Sequence, residues 1–240
     1  MTRVHDMGGR FGDGRVDPGT VGDPVFATDW HARALAVTLA AGALGQWNLD
    51  MSRHAREALA PRDYMDFSYY EKWIAALADL LVDRGVLTRE ELTAASDAAA
   101  SLPPPGGGVG RGEAPHPLAD RALKAGNVAA ALAKGSPADR PFDDAPAFAP
   151  GQRVRTLRPA ANRLVDGGHT RLPAYAAGAT GRVLRCHGAH VLPDSNAHRL
   201  GEAAEPLYTV VFSAGELWAA PENPRDEITL DLWQSYLEPA

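Results

Sequence analysis

Cysteine and long apolar runs are the first things this sequence lacks. Its 240 residues include a single cysteine, Cys186, which excludes an internal disulfide and a metal site built from several thiolates of this chain. No stretch approaches the roughly 20 consecutive apolar residues of a membrane-spanning helix. The beginning, Met1 to Asp6, also lacks the apolar run of a signal peptide. We therefore expect a cytoplasmic protein in a reducing compartment.

Basic charge is scarce as well. Lysine and arginine together number 24 against 30 acidic residues, which gives a net charge of −6. Proteins that bind nucleic acid or an anionic membrane surface usually carry a basic face. The C-terminal segment 146–240 has nine arginines, no lysine and ten acidic residues, a net charge of −1. The charge balance therefore argues against both kinds of partner.

Motifs of self-contained catalysis are absent from the sequence too. It has no Walker loop, no Gly-x-Ser-x-Gly nucleophile turn and no His-Glu-x-x-His zinc motif. His187 and His190 are three residues apart on a predicted strand, so we expect them on opposite faces without a shared metal.

Residues 30–102 have the apolar period of helices and predict a helical domain. Asp50 is a candidate N-cap of a short helix. Ser68 and Glu71 form a capping-box pattern at the start of the next long helix. Gly85 stands where the C-terminus of that helix favours a left-handed residue.

Two segments have too few apolar residues for a core of their own. Residues 1–29 predict an extended N-terminal arm that packs on something else. Residues 103–145 begin with runs of proline and glycine and predict a linker, with one possible helix over 118–134.

From about residue 146 the apolar period becomes two, which is typical of strands. The candidate strands are 154–157, 181–184, 207–212 and 228–233. Such short strands within fewer than a hundred residues predict a small closed or nearly closed barrel over 146–240. The predicted fold class is α+β: an extended arm and helical domain, then a small SH3-like β barrel.

Three polar clusters stand out from these predicted elements, and each alone also suits an ordinary helix face or loop. They are Arg53–Glu57, Ser68–Trp73 and Gly168–Tyr175. Together and in this order they belong to a longer pattern, which resembles the nitrile hydratase β subunit over nearly the whole chain. The matching pieces are His5-Asp6-x-Gly8-Gly9, Arg53-His54-x-x-Glu57, Tyr64, Ser68-Tyr69-Tyr70-Glu71-x-Trp73, Gly151-x-x-Val154-Arg155, Gly168-His169-Thr170-Arg171-x-Pro173-x-Tyr175, Gly178-x-x-Gly181, Leu207-Tyr208-x-Val210-x-Phe212, Glu216-Leu217-Trp218 and Asp231-Leu232-Trp233-x-x-Tyr236-Leu237-Glu238. The chain departs from the family at Ala177, where arginine is usual, and at Ala219, where glycine is common.

The resemblance implies an enzyme that hydrates nitriles to amides and is active only as a complex with an α subunit, as αβ or α2β2. The family's metal, non-haem Fe(III) or non-corrin Co(III), is bound by cysteine thiolates and backbone nitrogens of the α subunit. Two of those cysteines are oxidised. The run His169-Thr170-Arg171 favours the cobalt branch, and no metal is expected on this chain alone.

The resemblance also implies roles for five residues. Arg53 and Arg171 match the arginines that hold the oxygens of the oxidised cysteines, a task suited to a permanently charged fork of donors. Tyr69 matches a phenol that orients groups and relays protons at the active site. Tyr64 is a candidate wall of the substrate pocket. Trp47, by its position just before the second helix, is another, although ordinary core packing would explain it equally well.

Two other classes of protein remain open from the residues alone. One is an SH3-like nucleic-acid-binding module, which the charge count disfavours. The other is a non-catalytic homologue, either an activator that loads metal or a structural subunit of a related hydrolase such as thiocyanate hydrolase. Activators in this family tend to be shorter and to lack one half of such a chain.

Overall fold

Helices come first along the chain and an antiparallel sheet follows. The structure, a computed structural model, describes residues 4–6, 17–100 and 116–240, without the side chains of 96–100. Much of the predicted arm and the Pro/Gly-rich start of the predicted linker, residues 103–115, therefore lie outside the described residues. The chain divides into a helical part, Val21–Gly135, and a sheet part, Ser136–Ala240 with the described residues that precede Val21.

The helical part has five helices before residue 101 and one after residue 115. They are α1 (Asp29–Gly42), α2 (Leu49–Glu57), α3 (Pro61–Asp66), α4 (Tyr69–Asp83), α5 (Arg89–Ala100) and α6 (Val128–Lys134). Both α1 and α2 contact α4, which buries Ala76, Leu77 and Leu80. Among the described residues, no helix combines the length and apolar character needed to span a membrane.

The helix ends of α4 agree with the sequence pattern. The backbone N–H of Ser68 donates to the Glu71 carboxylate at 2.7 Å in a capping box, and Gly85 has φ +65° just after the helix. The predicted cap of α2 was wrong: Asn48 is the N-cap and accepts from the N–H of Met51 at 2.9 Å. The predicted helix over 118–134 is confirmed only for α6, since two short 3₁₀ turns precede it.

The sheet part has six strands and two short helices. They are β1 (Asp139–Arg140), β2 (Arg153–Thr156), β3 (Thr180–His190), α7 (Pro193–Asn196), β4 (Glu205–Ser213), α8 (Ala214–Leu217), β5 (Glu227–Trp233) and β6 (Leu237–Pro239). The strand order is β5-β4-β3-β2-β6, with β1 paired to the far end of β3 and every pair antiparallel. The four predicted strands are confirmed, although β3 is much longer than expected.

Closure of this sheet into a barrel is not confirmed. Within the described residues β5 and β6 are the two edges and do not pair with each other, so the sheet is open. Its inner face carries a core that includes Val154, Val183, Tyr208, Phe212 and Leu232. The coarser prediction, an α+β protein with an antiparallel sheet after the helices, is confirmed.

Candidate active-site residues

Arg53 lies on α2, one turn beyond its capped start. Its Nη1 is 3.3 Å from the Asp50 carboxylate. Asp50 is buried, whereas the side chain of Arg53 is 39% exposed. Because a guanidinium has five N–H donors, this pair orients Arg53 and leaves donors for another anion.

Arg56, one turn further along α2, is surrounded by aromatic side chains. Its guanidinium carbon lies 4.8 Å from the ring centroid of Trp73 on α4, and its Nη1 donates to the Ser52 hydroxyl at 3.2 Å. Burial lowers the pKa of Arg56, and the neighbouring phenol of Tyr69 acts in the opposite direction. Arg56 thus links α2 to the start of α4.

Tyr69 is the first residue of α4 and is 63% exposed. Its ring meets the edge of Tyr70 at a centroid distance of 5.2 Å and contacts Trp73 at 5.5 Å. The capping box at Ser68 fixes the backbone just before it. Contacts with Tyr70 and Trp73 therefore hold the Tyr69 ring in place, while most of the side chain remains exposed to solvent.

Tyr64 and Trp47 are both half-buried in the helical part. Tyr64 lies on α3, and the Lys72 ammonium stands 4.4 Å from its ring centroid. Burial raises the pKa of Tyr64, so its hydroxyl keeps its proton at neutral pH. Trp47 lies in the turn between α1 and α2, two residues after Gly45 with φ +71°.

Arg171 belongs to the sheet part and lies in the loop between β2 and β3. Its side chain is exposed, while the next residue, Leu172, is buried in the core. The backbone N–H of Arg171 donates to the Tyr236 hydroxyl at 3.1 Å. The N–H of Ala174 in the same loop donates to the Asp6 carboxylate at 2.8 Å. The backbone around Arg171 is thus held in place, whereas no hydrogen bond or ion pair holds its side chain within the described residues.

Asn162 holds the other end of this loop from inside. Its amide nitrogen donates to the carbonyls of His169 at 2.6 Å and Asp194 at 2.9 Å. Its amide oxygen accepts from the backbone N–H groups of Leu164 and Val165 at 2.7 and 2.9 Å. One buried side chain therefore satisfies four backbone groups, three in the loop and one in α7.

His198 supports the same loop by accepting the backbone N–H of His169 at its Nε2, at 2.9 Å. This bond requires an unprotonated Nε2. Burial lowers the pKa of His198, which favours that neutral form at neutral pH. The hydrogen bond from the His169 N–H to His198 is therefore favoured at neutral pH.

A buried carboxylic acid completes the network. The Tyr236 hydroxyl donates to Asp194, and Asp194 is only 4% exposed. Burial raises the pKa of Asp194 to about 6, against the Tyr236 hydrogen bond, which lowers it. Burial also raises the pKa of Tyr236 well above its ordinary value. Asp194 is therefore connected to the Arg171 loop both through Tyr236, which accepts from the Arg171 N–H, and through a side-chain hydrogen bond with Thr170.

The structure places the five sequence-predicted residues on two parts of the chain. Arg53, Tyr64 and Tyr69 lie on α2, α3 and α4, and each of them influences the pKa of Arg56. Trp47 lies in the preceding turn, and Arg171 in the sheet part. Arg56 was not among the sequence-predicted residues, although its position one helical turn after Arg53 indicates that the two arginines share a face of α2.

The described side chains do not include a thiolate set for a metal. Cys186, the only cysteine, is half-buried and unpaired on β3. A centre held by several thiolates does not fit this chain, and its ligands would have to come from another polypeptide.

Two family patterns match the chain. The N-terminal domain of the nitrile hydratase β subunit matches residues 1–128, and the C-terminal domain matches residues 137–239. The chain belongs to the nitrile hydratase β-subunit family. The resemblance seen in the sequence is thereby confirmed.

Individual nitrile hydratase β subunits are similar over their whole length. The low-molecular-weight cobalt-containing β subunit of Rhodococcus rhodochrous is 34% identical over 240 residues, all of both chains. The Pseudomonas putida β subunit is 34% identical over 243 residues, again all of both chains. The cobalt-containing β subunit of Pseudonocardia thermophila is 33% identical over 99% of this chain and 96% of that protein. Because both halves match, this chain is not a shortened activator. It is the β subunit of a lyase that hydrates nitriles together with an α subunit.

Proposed function

We propose that this chain supplies Arg53, Arg171 and Tyr69 to a nitrile hydratase active site whose metal is held by the α subunit. The observation that carries the proposal is the exposed guanidinium of Arg171 on a loop fixed from inside by Asn162 and Tyr236. A loop whose backbone is fixed and whose guanidinium is exposed suits a residue that binds an anion on a partner chain.

The two arginines would donate to the oxygens of the oxidised cysteines that the family has in its α subunit. Such anions in a poorly hydrated interface need donors that keep their charge at every working pH, and a guanidinium does so. Arg53 has donors left beyond its pair with Asp50. Within the described residues Arg171 forms no ion pair through its side chain.

Tyr69 would orient a group at the active site and relay a proton. Its exposed phenol and its fixed ring support this role. Tyr64, protonated at neutral pH, and Trp47 would line the substrate pocket, where aromatic surface and a hydroxyl suit a small nitrile.

We further propose a cobalt enzyme, because the names of two of the similar β subunits include cobalt. The assembly would be αβ or α2β2, in the cytoplasm. The division into an arm (1–29), a helical domain (30–102), a linker (103–145) and a sheet domain (146–240) is likewise a proposal. Helix α6 ends at Lys134 and strand β1 begins at Asp139, so both lie within the proposed linker.

The test is the activity of the purified two-chain complex with Arg171→Lys. Lysine keeps the charge but loses the planar fork, so we expect turnover of a simple nitrile to fall at least about tenfold, or roughly 1.4 kcal/mol. Arg171→Ala should be worse, because the partner's anion then stays unpaired in a dry interface.

The matched control is Arg225→Lys, since Arg225 is another exposed arginine in a loop of the sheet part. It should leave turnover and metal content unchanged. Full activity and normal metal content in Arg171→Lys would show that Arg171 is an ordinary surface residue.

A further inference from the structure

The outer face of strands β2 and β3 is rich in arginine. Arg153 and Arg182 are register partners across the two strands, and both are exposed. Arg155 lies two residues beyond Arg153 and therefore on the same face. An irregularity between Val183 and Arg185 leaves Arg182 opposite Val211 and Arg185 opposite Thr209. Because Val211 and Thr209 are two residues apart on β4 and share a face, Arg185 lies on the same face as Arg182.

This arrangement has an electrostatic cost. Like charges directly opposite each other on neighbouring strands are destabilising. Within the described residues, none of the four arginines has a carboxylate within 4.0 Å. The chain as a whole is acidic, with a net charge of −6, so the local excess of positive charge is not a property of its composition.

At one end of this face lies an open groove of about 520 Å³. Three arginines line it, Arg155, Arg158 and Arg163, against a single acid, Glu238. Its size falls within the range of about 300–1,000 Å³ that is usual for small-molecule sites. All of its lining residues belong to the sheet part, and Arg171 is not among them.

Arg158 is held in place within the groove. Its Nε and Nη2 both donate to the carbonyl oxygen of Ala177, at 3.2 and 2.9 Å. The neighbouring Gly178 has φ +76°, and a Cβ there would lie 2.8 Å from Nε of Arg158. Glycine at this position therefore permits the seating of Arg158, whose Nη1 makes no hydrogen bond within the described part of the chain. A guanidinium fixed on one edge and open on the other is preorganised for an anion.

We propose that this groove binds a small molecule bearing an oxyanion, a carboxylate or a phosphate. Arg158 provides the fixed donor, while the side chains of Arg155 and Arg163 form no hydrogen bond or ion pair within the described chain that would have to break on binding. The neighbouring Arg153 and Arg182 add to the positive potential that draws the anion in. The site is separate from the nitrile reaction and does not depend on the roles proposed for Arg53, Tyr69 and Arg171.

The experiment is calorimetric titration of the two-chain complex at low ionic strength, in one arm with inorganic phosphate and in the other with citrate. We expect saturable binding of at least one probe, and the preferred probe identifies the chemistry. Arg163→Gln should weaken that binding at least about tenfold, or roughly 1.4 kcal/mol. Arg225→Gln removes one exposed arginine elsewhere in the sheet part and should change the affinity less than about twofold.

Nitrile turnover separates this proposal from the proposed function, because Arg163→Gln should hydrate nitriles at the normal rate. Saturable binding that Arg163→Gln weakens and Arg225→Gln does not supports the groove. Absence of saturable binding of both probes to the unmodified complex overturns it. So does equal affinity of Arg163→Gln and the unmodified complex, because the ions would then bind elsewhere.

Discussion

At the scale of single residues, Asp194 shows how a buried acid is tolerated in this protein. It has the Tyr236 hydroxyl as a hydrogen-bond donor, yet burial still raises its pKa to about 6 from 3.8. The folded chain therefore holds the Asp194 proton more tightly than the unfolded chain does. Protonated Asp194 carries no buried charge, so the cost of burying this side chain is lowest below a pH of about 6.

This difference predicts a pH-dependent stability. Between pH 3.8 and about 6 the unfolded chain loses the Asp194 proton first, so the free energy of unfolding falls as the pH rises through this window and stays lower above it. Asp194→Asn mimics the neutral acid and keeps an oxygen for Tyr236. As the pH rises from 4 to 7, the free energy of unfolding of this variant should therefore increase by on the order of 1–3 kcal/mol relative to that of the unmodified complex.

Urea denaturation of both complexes at several pH values measures this gain. Subtracting one curve from the other removes the contributions of all other titrating groups. A stability difference that stays constant from pH 4 to pH 7 would mean that Asp194 is ionised in the folded protein throughout.

The residues of the site differ in how far the sequence could predict them. Arg53 and Arg171 could be proposed from the sequence because they belong to local runs with a family pattern. Asn162 and His198 were not found, since they act on backbone groups up to 32 positions away. A single asparagine in a loop has no periodicity that would indicate such contacts.

At the scale of elements, α4 presents Tyr69 and Trp73 through a start that the sequence sets locally. The hydrogen bonds of the capping box lower the pKa of Glu71 and so favour its ionised form. A second capping box, formed by Thr88 and Glu91, begins α5. The two starts are alike in chemistry, but of these two helices α4 bears a proposed active-site residue and α5 does not.

This likeness gives a matched pair of variants. Ser68→Ala and Thr88→Ala should each cost about 0.5–2 kcal/mol of stability, through loss of a cap. Ser68→Ala should also lower nitrile turnover, because Tyr69 follows the cap directly and loses its fixed backbone. Thr88→Ala should leave turnover unchanged. Equal turnover in the two variants would mean that Tyr69 needs no fixed helix start.

The strands were less predictable than the helices. The expected four-residue strand at 181–184 is part of the eleven-residue β3, whose pairing shifts between Val183 and Arg185 and again between Cys186 and Ala189. Each irregularity interrupts the two-residue period on which the prediction depended. The expectation that His187 and His190 lie on opposite faces was wrong, since their ring centroids are 6.5 Å apart. The open sheet was missed because strand order depends on pairings distant in sequence.

At the scale of the whole molecule, the chain has the features of one half of an active site. It belongs to a β-subunit family over both of its halves. It offers cationic and phenolic side chains at exposed positions, and with one cysteine it cannot provide a set of thiolates. The exposed donors lack an anion to bind, and the chain lacks a set of metal ligands. An α subunit that holds the metal on oxidised cysteines would supply both.

The most direct test is to assay hydration of a simple nitrile by this chain alone, by the α subunit alone and by the two together, with cobalt and iron analysis of each sample. Our account predicts amide formation only by the two-chain complex, and no stoichiometric metal on this chain when it is purified alone. Amide formation by this chain alone, or one tightly bound cobalt or iron ion on it without the partner, would contradict the account.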